Sequence, residues 1–272
     1  MFSPFSEKYF LKKNKLIYKK YKKKPNYTDF LNLLKKGIVP RAYYGLSLLM
    51  AAKQAKDLGY KKIKVFELGC DNLDGLVDIE NYINDIKKFI DIDFEIYGFT
   101  LKGGLPKYKV NKYDRLYRFS AGQYKLRDKI NLNKLKSSKI IYGDIKHTIP
   151  KFIKENKKSF NKSPISLVIF DLDYYTSTKF GLNLLKLNPV NYLPRTYVYF
   201  DDHSFSAFDE GERRAISEFN KNSKFKISDI AELAEQLSIF FNKWIYLGKR
   251  IKVITYYNHP KFNKSVEQLF GW

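Results

Sequence analysis

Two short acidic strings carry the densest chemistry in the chain, Asp171-Leu172-Asp173 and Asp201-Asp202-His203. Each closes an apolar run, ISLVIF before Asp171 and TYVYF before Asp201. Carboxylates gathered at neighbouring strand ends repel one another unless a cation or protons intervene. Asp171, Asp201 and Asp202 are therefore candidate metal ligands, and capping of helix N-termini or pairing with the chain's many lysines is the competing use of the same acids. His203 directly follows the aspartate pair and His147 lies just after Asp144, so each is a candidate base, imidazole being the usual proton acceptor near neutral pH. A third string, Glu67-Leu68-Gly69-Cys70-Asp71-Asn72-Leu73-Asp74-Gly75, also follows an apolar run. A glycine there lets a ligand approach the backbone, and the helix N-terminus that follows favours polar or anionic groups. A tight turn with no ligand explains the same glycines equally well.

The elements that must hold these residues are readable as runs. KIKVFELG, FEIYGFT, KIIYGD, ISLVIFDLD and TYVYFDD are short, apolar and rich in β-branched and aromatic residues, as expected of strands buried on both faces. Helical patterns separate them: RAYYGLSLLMAAKQAKDLGY after Pro40, LVDIENYINDIKKFI, IPKFIKEN and STKFGLNLLKL. Strands alternating with helices predict a doubly wound α/β sheet with right-handed crossovers. WIYLGKRIKVITYYNH reads as a closing pair of strands around Gly248. Ligands bind beyond the carboxyl ends of such strands, where Glu67, Gly69, Thr100, Gly143, Asp144, Asp171, Asp173 and the Asp201-Asp202 pair fall. With no linker rich in Gly, Pro or Ser and no internal repeat, residues 1–39 read as a basic N-terminal extension and 40–272 as one domain.

The ordered set VFELGCDNLDGL, IYGFTLKGGLP, IIYGDIKHTIPKFI, ISLVIFDLDYYTSTKFGL, RTYVYFDDHSF and GERRAISEF resembles class I S-adenosylmethionine-dependent methyltransferases, in particular the macrocin O-methyltransferase-like group. The likeness runs from about Pro40 to Asn220. It implies a Rossmann-like methyltransferase sheet, mostly parallel with an antiparallel C-terminal strand, and an N-terminal helical extension. It also implies that Glu67, Gly69 and Gly75 form the cofactor turn and that Asp144 accepts a hydrogen bond from the adenine amine. Thr100 stands where an acidic residue holds the ribose hydroxyls in relatives. Asp171, Asp201 and Asp202 match positions that hold Mg²⁺ in metal-dependent relatives, with Asp171 and His203 as candidate catalytic residues. Tyr174, Tyr175 and Thr176 are expected in the acceptor pocket, and Arg41 and Tyr44 over the cofactor. The implied reaction is O-methylation of a hydroxyl on a sugar, a glycan or a small molecule. Thr100 and the glycine-poor turn depart from the family pattern, so a non-catalytic module on the same fold is the alternative.

Charge supplies another alternative. Lys+Arg 51 against Asp+Glu 28 leaves a formal charge of +23, and KKNKLIYKKYKKKP near the N-terminus interleaves lysines with Tyr18 and Tyr21. That suits weak polyanion binding or a nucleic-acid enzyme. Against the enzyme, FDLDYY lacks the Asn/Asp-Pro-Pro-aromatic turn that holds a flipped base, and Cys70 is not placed as a cytosine-C5 nucleophile. Lys, Ile, Asn, Tyr and Phe are abundant together, the mark of a biased composition, so much of the charge reads as solvated surface. One cysteine excludes an internal disulfide, and no Cys/His spacing resembles a zinc site. Without an apolar leader or a run of ~18 apolar residues, the expectation is a cytoplasmic protein without a transmembrane segment, with homo-oligomerisation left open.

Overall fold

The computed structural model describes residues 18–107, 111–126, 131–203, 209–230, 233 and 249–266. Seven strands form one sheet: β1 (Lys62–Leu68), β2 (Asp93–Thr100), β3 (Lys139–Tyr142), β4 (Ile165–Phe170), β5 (Tyr192–Phe200), β6 (Ile227–Asp229) and β7 (Ile251–Thr255). Their order is β3-β2-β1-β4-β5-β7-β6. The first five pair in parallel, and β7 runs antiparallel to both β5 and β6. This is the Rossmann-like sheet expected from the sequence, mostly parallel with an antiparallel C-terminal strand. One detail differs. The IKVIT half of the expected closing pair is β7, but its outer neighbour is β6, a three-residue strand that the apolar patterning did not mark. WIYL, the other half, lies outside the described residues.

Side chains alternate along each strand and feed two separate apolar layers. Val65, Ile96, Leu167 and Ile169 point to one layer, which α1 (Tyr27–Lys35), α2 (Ala42–Asp57) and α3 (Asp74–Ile86) cover with Phe30, Leu34, Leu48, Leu76 and Ile83. Phe66, Tyr97, Val168 and Phe170 point to the other, under α4 (Ile145–Asn156), α5 (Tyr175–Gly181) and α6 (Gly211–Asn222). Every residue of β4 is buried, which is why ISLVIF shows no polar alternation. The helical residues 18–23 join the first layer: Tyr21 is 1% exposed and stacks on Phe30 at 5.8 Å. Thus Tyr21 of the lysine-aromatic segment is core; residues 1–17 lie outside the described residues. No described helix is long and apolar enough to cross a membrane.

The strand order reverses between β1 and β4, and at that switch point the chains leaving the two strands diverge and open a crevice. The ladder continues one step past the strand ends. Gly69 N–H donates to Phe99 O (2.9 Å), Gly143 to Thr100 (3.0 Å), Asp171 to Leu68 (2.8 Å) and Asp201 to Phe170 (3.0 Å). These bonds fix the loop-forming residues in a row along the carboxyl edge of the sheet.

Candidate active site

A cavity of about 370 Å³ opens over that row. Gly69, Asp71, Thr100, Asp144, Asp171, Asp173, Asp201 and Asp202 line it from five successive strand ends, with Arg41 and Arg118 as its basic residues. Six carboxylates therefore face two guanidiniums inside a chain whose net charge is +23.

Of the residues expected at the cofactor turn, Gly69 lines the cavity and Glu67 and Gly75 do not. Gly69 has φ +94°, and a Cβ there would meet the Asp171 carbonyl oxygen at 1.8 Å, so glycine is demanded by the approach of the β4 loop as well as by any ligand. A Cβ on Gly75 would meet the Glu67 carboxylate at 1.9 Å, so this glycine makes room for Glu67. Glu67 is 2% exposed, its Oε2 has no hydrogen-bond partner among the described residues, and burial pushes its pKa up to about 7. Asp144 caps α4, accepting from the Lys146 amide at 2.8 Å, while still facing the cavity. Arg41 is tied to Asp78 at 2.6 Å, which holds it at the rim. Tyr44 lies behind the rim in a buried cluster with Tyr43 and Tyr199.

Three expectations are corrected. His203 does not line the cavity; burial first, then Lys252 and Arg213, hold it neutral with a pKa of about 3, too low for an effective base at neutral pH. His147 is exposed in the first turn of α4, also outside the cavity. Tyr174 and Tyr175 are core residues, 2% and 4% exposed, and Thr176 is taken up by Asp114; the α5 residue that reaches the cavity is Ser177.

The three carboxylates implied as Mg²⁺ ligands do come together, but arginines face them. Arg115 Nη2 donates to Asp202 Oδ2 at 2.5 Å and to the Asp173 carbonyl at 3.0 Å. Arg250 Nη1 donates to Asp201 Oδ1 at 2.9 Å and to the Tyr199 hydroxyl, which itself donates to Asp201. Among the described residues no group of three His, Cys, Asp or Glu side chains is arranged to hold a metal ion. Mg²⁺ needs carboxylate oxygens turned toward it in an octahedral set, and two of these three acids are turned to guanidiniums instead. The residues present do not fit Mg²⁺.

The sequence marks Asp173 only as a strand-end acid and does not mark Arg115 at all. Asp173 is the centre of a three-residue turn, with φ +53° and the Tyr174 amide donating to the Leu172 carbonyl. Such strain is kept where the surroundings over-determine it. Burial, then the charge and hydrogen bond of Asp202, raise its pKa to about 8 against the pull of Arg115. Asp171 is raised as well, by burial and by Asp201. Arg115 was missed because the segment 111–126 after β2 has no periodicity; it is ordered by anchors on other elements. Asp114 accepts from the Thr176 amide (2.7 Å) and hydroxyl (2.8 Å), capping α5, whose own N-cap residue Tyr174 supplies no side-chain bond. Arg118, Phe119 and Tyr124 of that segment line the cavity. A signal existed: eight of the 51 basic residues are arginine, and Arg41, Arg115, Arg118 and Arg250 all gather at this site.

Comparison with protein-family models and with curated proteins finds no match. Among solved structures, the chain is similar to an apo TDP-rhamnose 3'-O-methyltransferase of calicheamicin biosynthesis, with 18% identity over 85% of this chain and 92% of that one and a TM-score of 0.41. It is also similar to a plantazolicin methyltransferase solved in complex with SAH, with 11% identity, 92% and 98% coverage and a TM-score of 0.32.

Proposed function

We propose that the chain is an S-adenosylmethionine-dependent methyltransferase acting on a hydroxyl of a small molecule or sugar. The observation that carries this reading is the acid-lined cavity at the switch point of a methyltransferase-ordered sheet. In a chain of +23, a cavity lined by six acidic side chains, two of which burial and acidic neighbours hold above the usual carboxylate pKa, suits a cationic ligand that can take the place of their protons. S-adenosylmethionine supplies a methyl group on a positively charged sulfonium. The backbone at Gly69 admits it at the end of β1, Asp144 offers a carboxylate to an adenine amine, and Asp71 offers one beside Thr100 for the ribose.

Asp173 is the residue placed to take a proton from the acceptor hydroxyl. It lines the cavity, and a pKa near working pH balances availability of the carboxylate against its strength as a base. The phenyl ring of Phe119 and the Leu105-Pro106 edge give the same cavity an apolar wall. Positioning of the acceptor oxygen in line with the methyl group then supplies most of the acceleration.

Calorimetric titration with S-adenosylmethionine and S-adenosylhomocysteine tests the reading. The expected result is stoichiometric binding of both, tighter for the cationic form because its sulfonium meets the acidic wall. No binding of either would overturn the reading and favour the non-catalytic module.

A further inference from the structure

We propose that Arg115 is the resident cation of this site, filling the role that a divalent metal ion fills between carboxylates, so that the site takes no metal. The proposal deepens the methyltransferase reading but its test does not depend on it. Arg115 is 1% exposed overall, an extreme burial for a residue that almost never leaves water unless paired. Its partners are the carboxylate of Asp202 and the backbone carbonyl of Asp173, both cavity-lining residues from adjacent strands β5 and β4. One planar cation thus ties together the two strand ends at which the acids converge, as a metal would, and its ring contact with Phe119 (4.8 Å) closes the remaining face.

The rest of its environment argues against a merely structural tie. Nε and Nη1 of Arg115 are buried and without a hydrogen-bond partner among the described residues. Leaving two charged donors unmade is expensive, and a cation used only for packing would be cheaper as an apolar side chain. Nearby, Glu212 in the first turn of α6 is fully buried with neither carboxyl oxygen partnered among the described residues, and the charge of Arg115 acts on it. Arg115 therefore stands among more acid than one salt bridge requires, with donors to spare. It is a positioning residue: it holds Asp202 in place and keeps the Asp173 turn closed, so that the Asp173 carboxyl faces the cavity.

The test is divalent-cation binding, read as loss of the free Mn²⁺ resonance signal on adding the full chain. Wild type is expected to take up no stoichiometric Mn²⁺ below about 1 mM, a range typical of weak oxygen-ligand sites. Arg115→Met removes the guanidinium and leaves Asp171, Asp173 and Asp202 facing each other; it is expected to gain a Mn²⁺ site at least about tenfold tighter than wild type. Arg115→Lys retains the charge and is expected to behave as wild type. Stoichiometric Mn²⁺ binding to the wild type at about 0.1 mM, abolished by Asp202→Asn, would overturn the proposal, as would a folded Arg115→Met chain that gains no site. Should Arg115→Met not fold, the wild-type titration and Arg115→Lys still decide. Failure to bind S-adenosylmethionine would defeat the methyltransferase reading and leave this result untouched.

Discussion

Burial and the neighbouring Asp202 carboxyl hold the Asp173 pKa up at about 8. Replacing Asp173 by Asn keeps the shape and the capacity to donate toward Asp202 but removes the proton acceptor. Asp173→Asn is therefore expected to lower kcat about 10²-fold or more with the affinity for S-adenosylmethionine within a few-fold of wild type, checked by single-turnover methyl transfer beside calorimetry. Equal turnover by the variant would remove Asp173 from the chemistry. The same residue shows where sequence reading works and where it stops. Asp171, Asp201 and Asp202 were legible because each directly follows an apolar run that can only be a buried strand. The split of roles between them was not. His203, next in line after Asp202, has the chemistry of a base, yet burial and the charges of Lys252 and Arg213, set by tertiary structure alone, keep it neutral.

At the scale of elements, the strands were legible to within a few residues because burial on both faces demands unbroken apolar runs, and α3 and α4 because their apolar stripes are one-sided. The segment 111–126 obeys no such rule. Asn111 donates from its amide to Asp114 (3.0 Å), Asp114 reaches α5, Tyr113 packs edge-on against Tyr175 and accepts from the Gly211 amide, so its shape is dictated by three distant anchors. Asp114 is the anchor with the most to lose, being fully buried. Asp114→Ala is expected to cost about 2 kcal/mol, since it removes a helix cap and strands a buried amide. Because Arg118, Phe119 and Tyr124 ride on the same segment, the variant is also expected to weaken cofactor binding and to expose 111–126 to limited proteolysis. Denaturant melts and protease digestion read the two effects separately. Unchanged binding in a destabilised variant would show that the segment caps α5 without shaping the cavity.

At the scale of the whole molecule, a basic surface encloses an acidic centre, and the two halves of that arrangement carry different protons. Asp173 at about 8 and Glu67 at about 7 lie above their unfolded values of ~3.9 and ~4.3, so the folded chain holds protons that the unfolded chain has released. Stability contributed by these groups is present at low pH and falls as pH rises through the folded values. His203 at about 3 has the opposite sign: unfolding binds a proton up to ~6.5, so its contribution rises with pH and cancels one acid in that range. Above ~6.5 the histidine is silent and the acids act alone, so the chain is expected to lose roughly 1–2 kcal/mol between pH 6.5 and 8, a fall of a few degrees in Tm. Asp173→Asn is expected to flatten that slope, because the amide does not titrate. A cationic ligand changes the balance in the same direction as a proton. S-adenosylmethionine should therefore raise Tm more at pH 8 than at pH 6.5 and displace protons on binding, visible as a dependence of the calorimetric enthalpy on buffer ionisation at pH 7. A Tm that is flat or rising from pH 6.5 to 8 would mean that the buried acids do not titrate in that range, and the expected displacement of protons by the cation would then be absent.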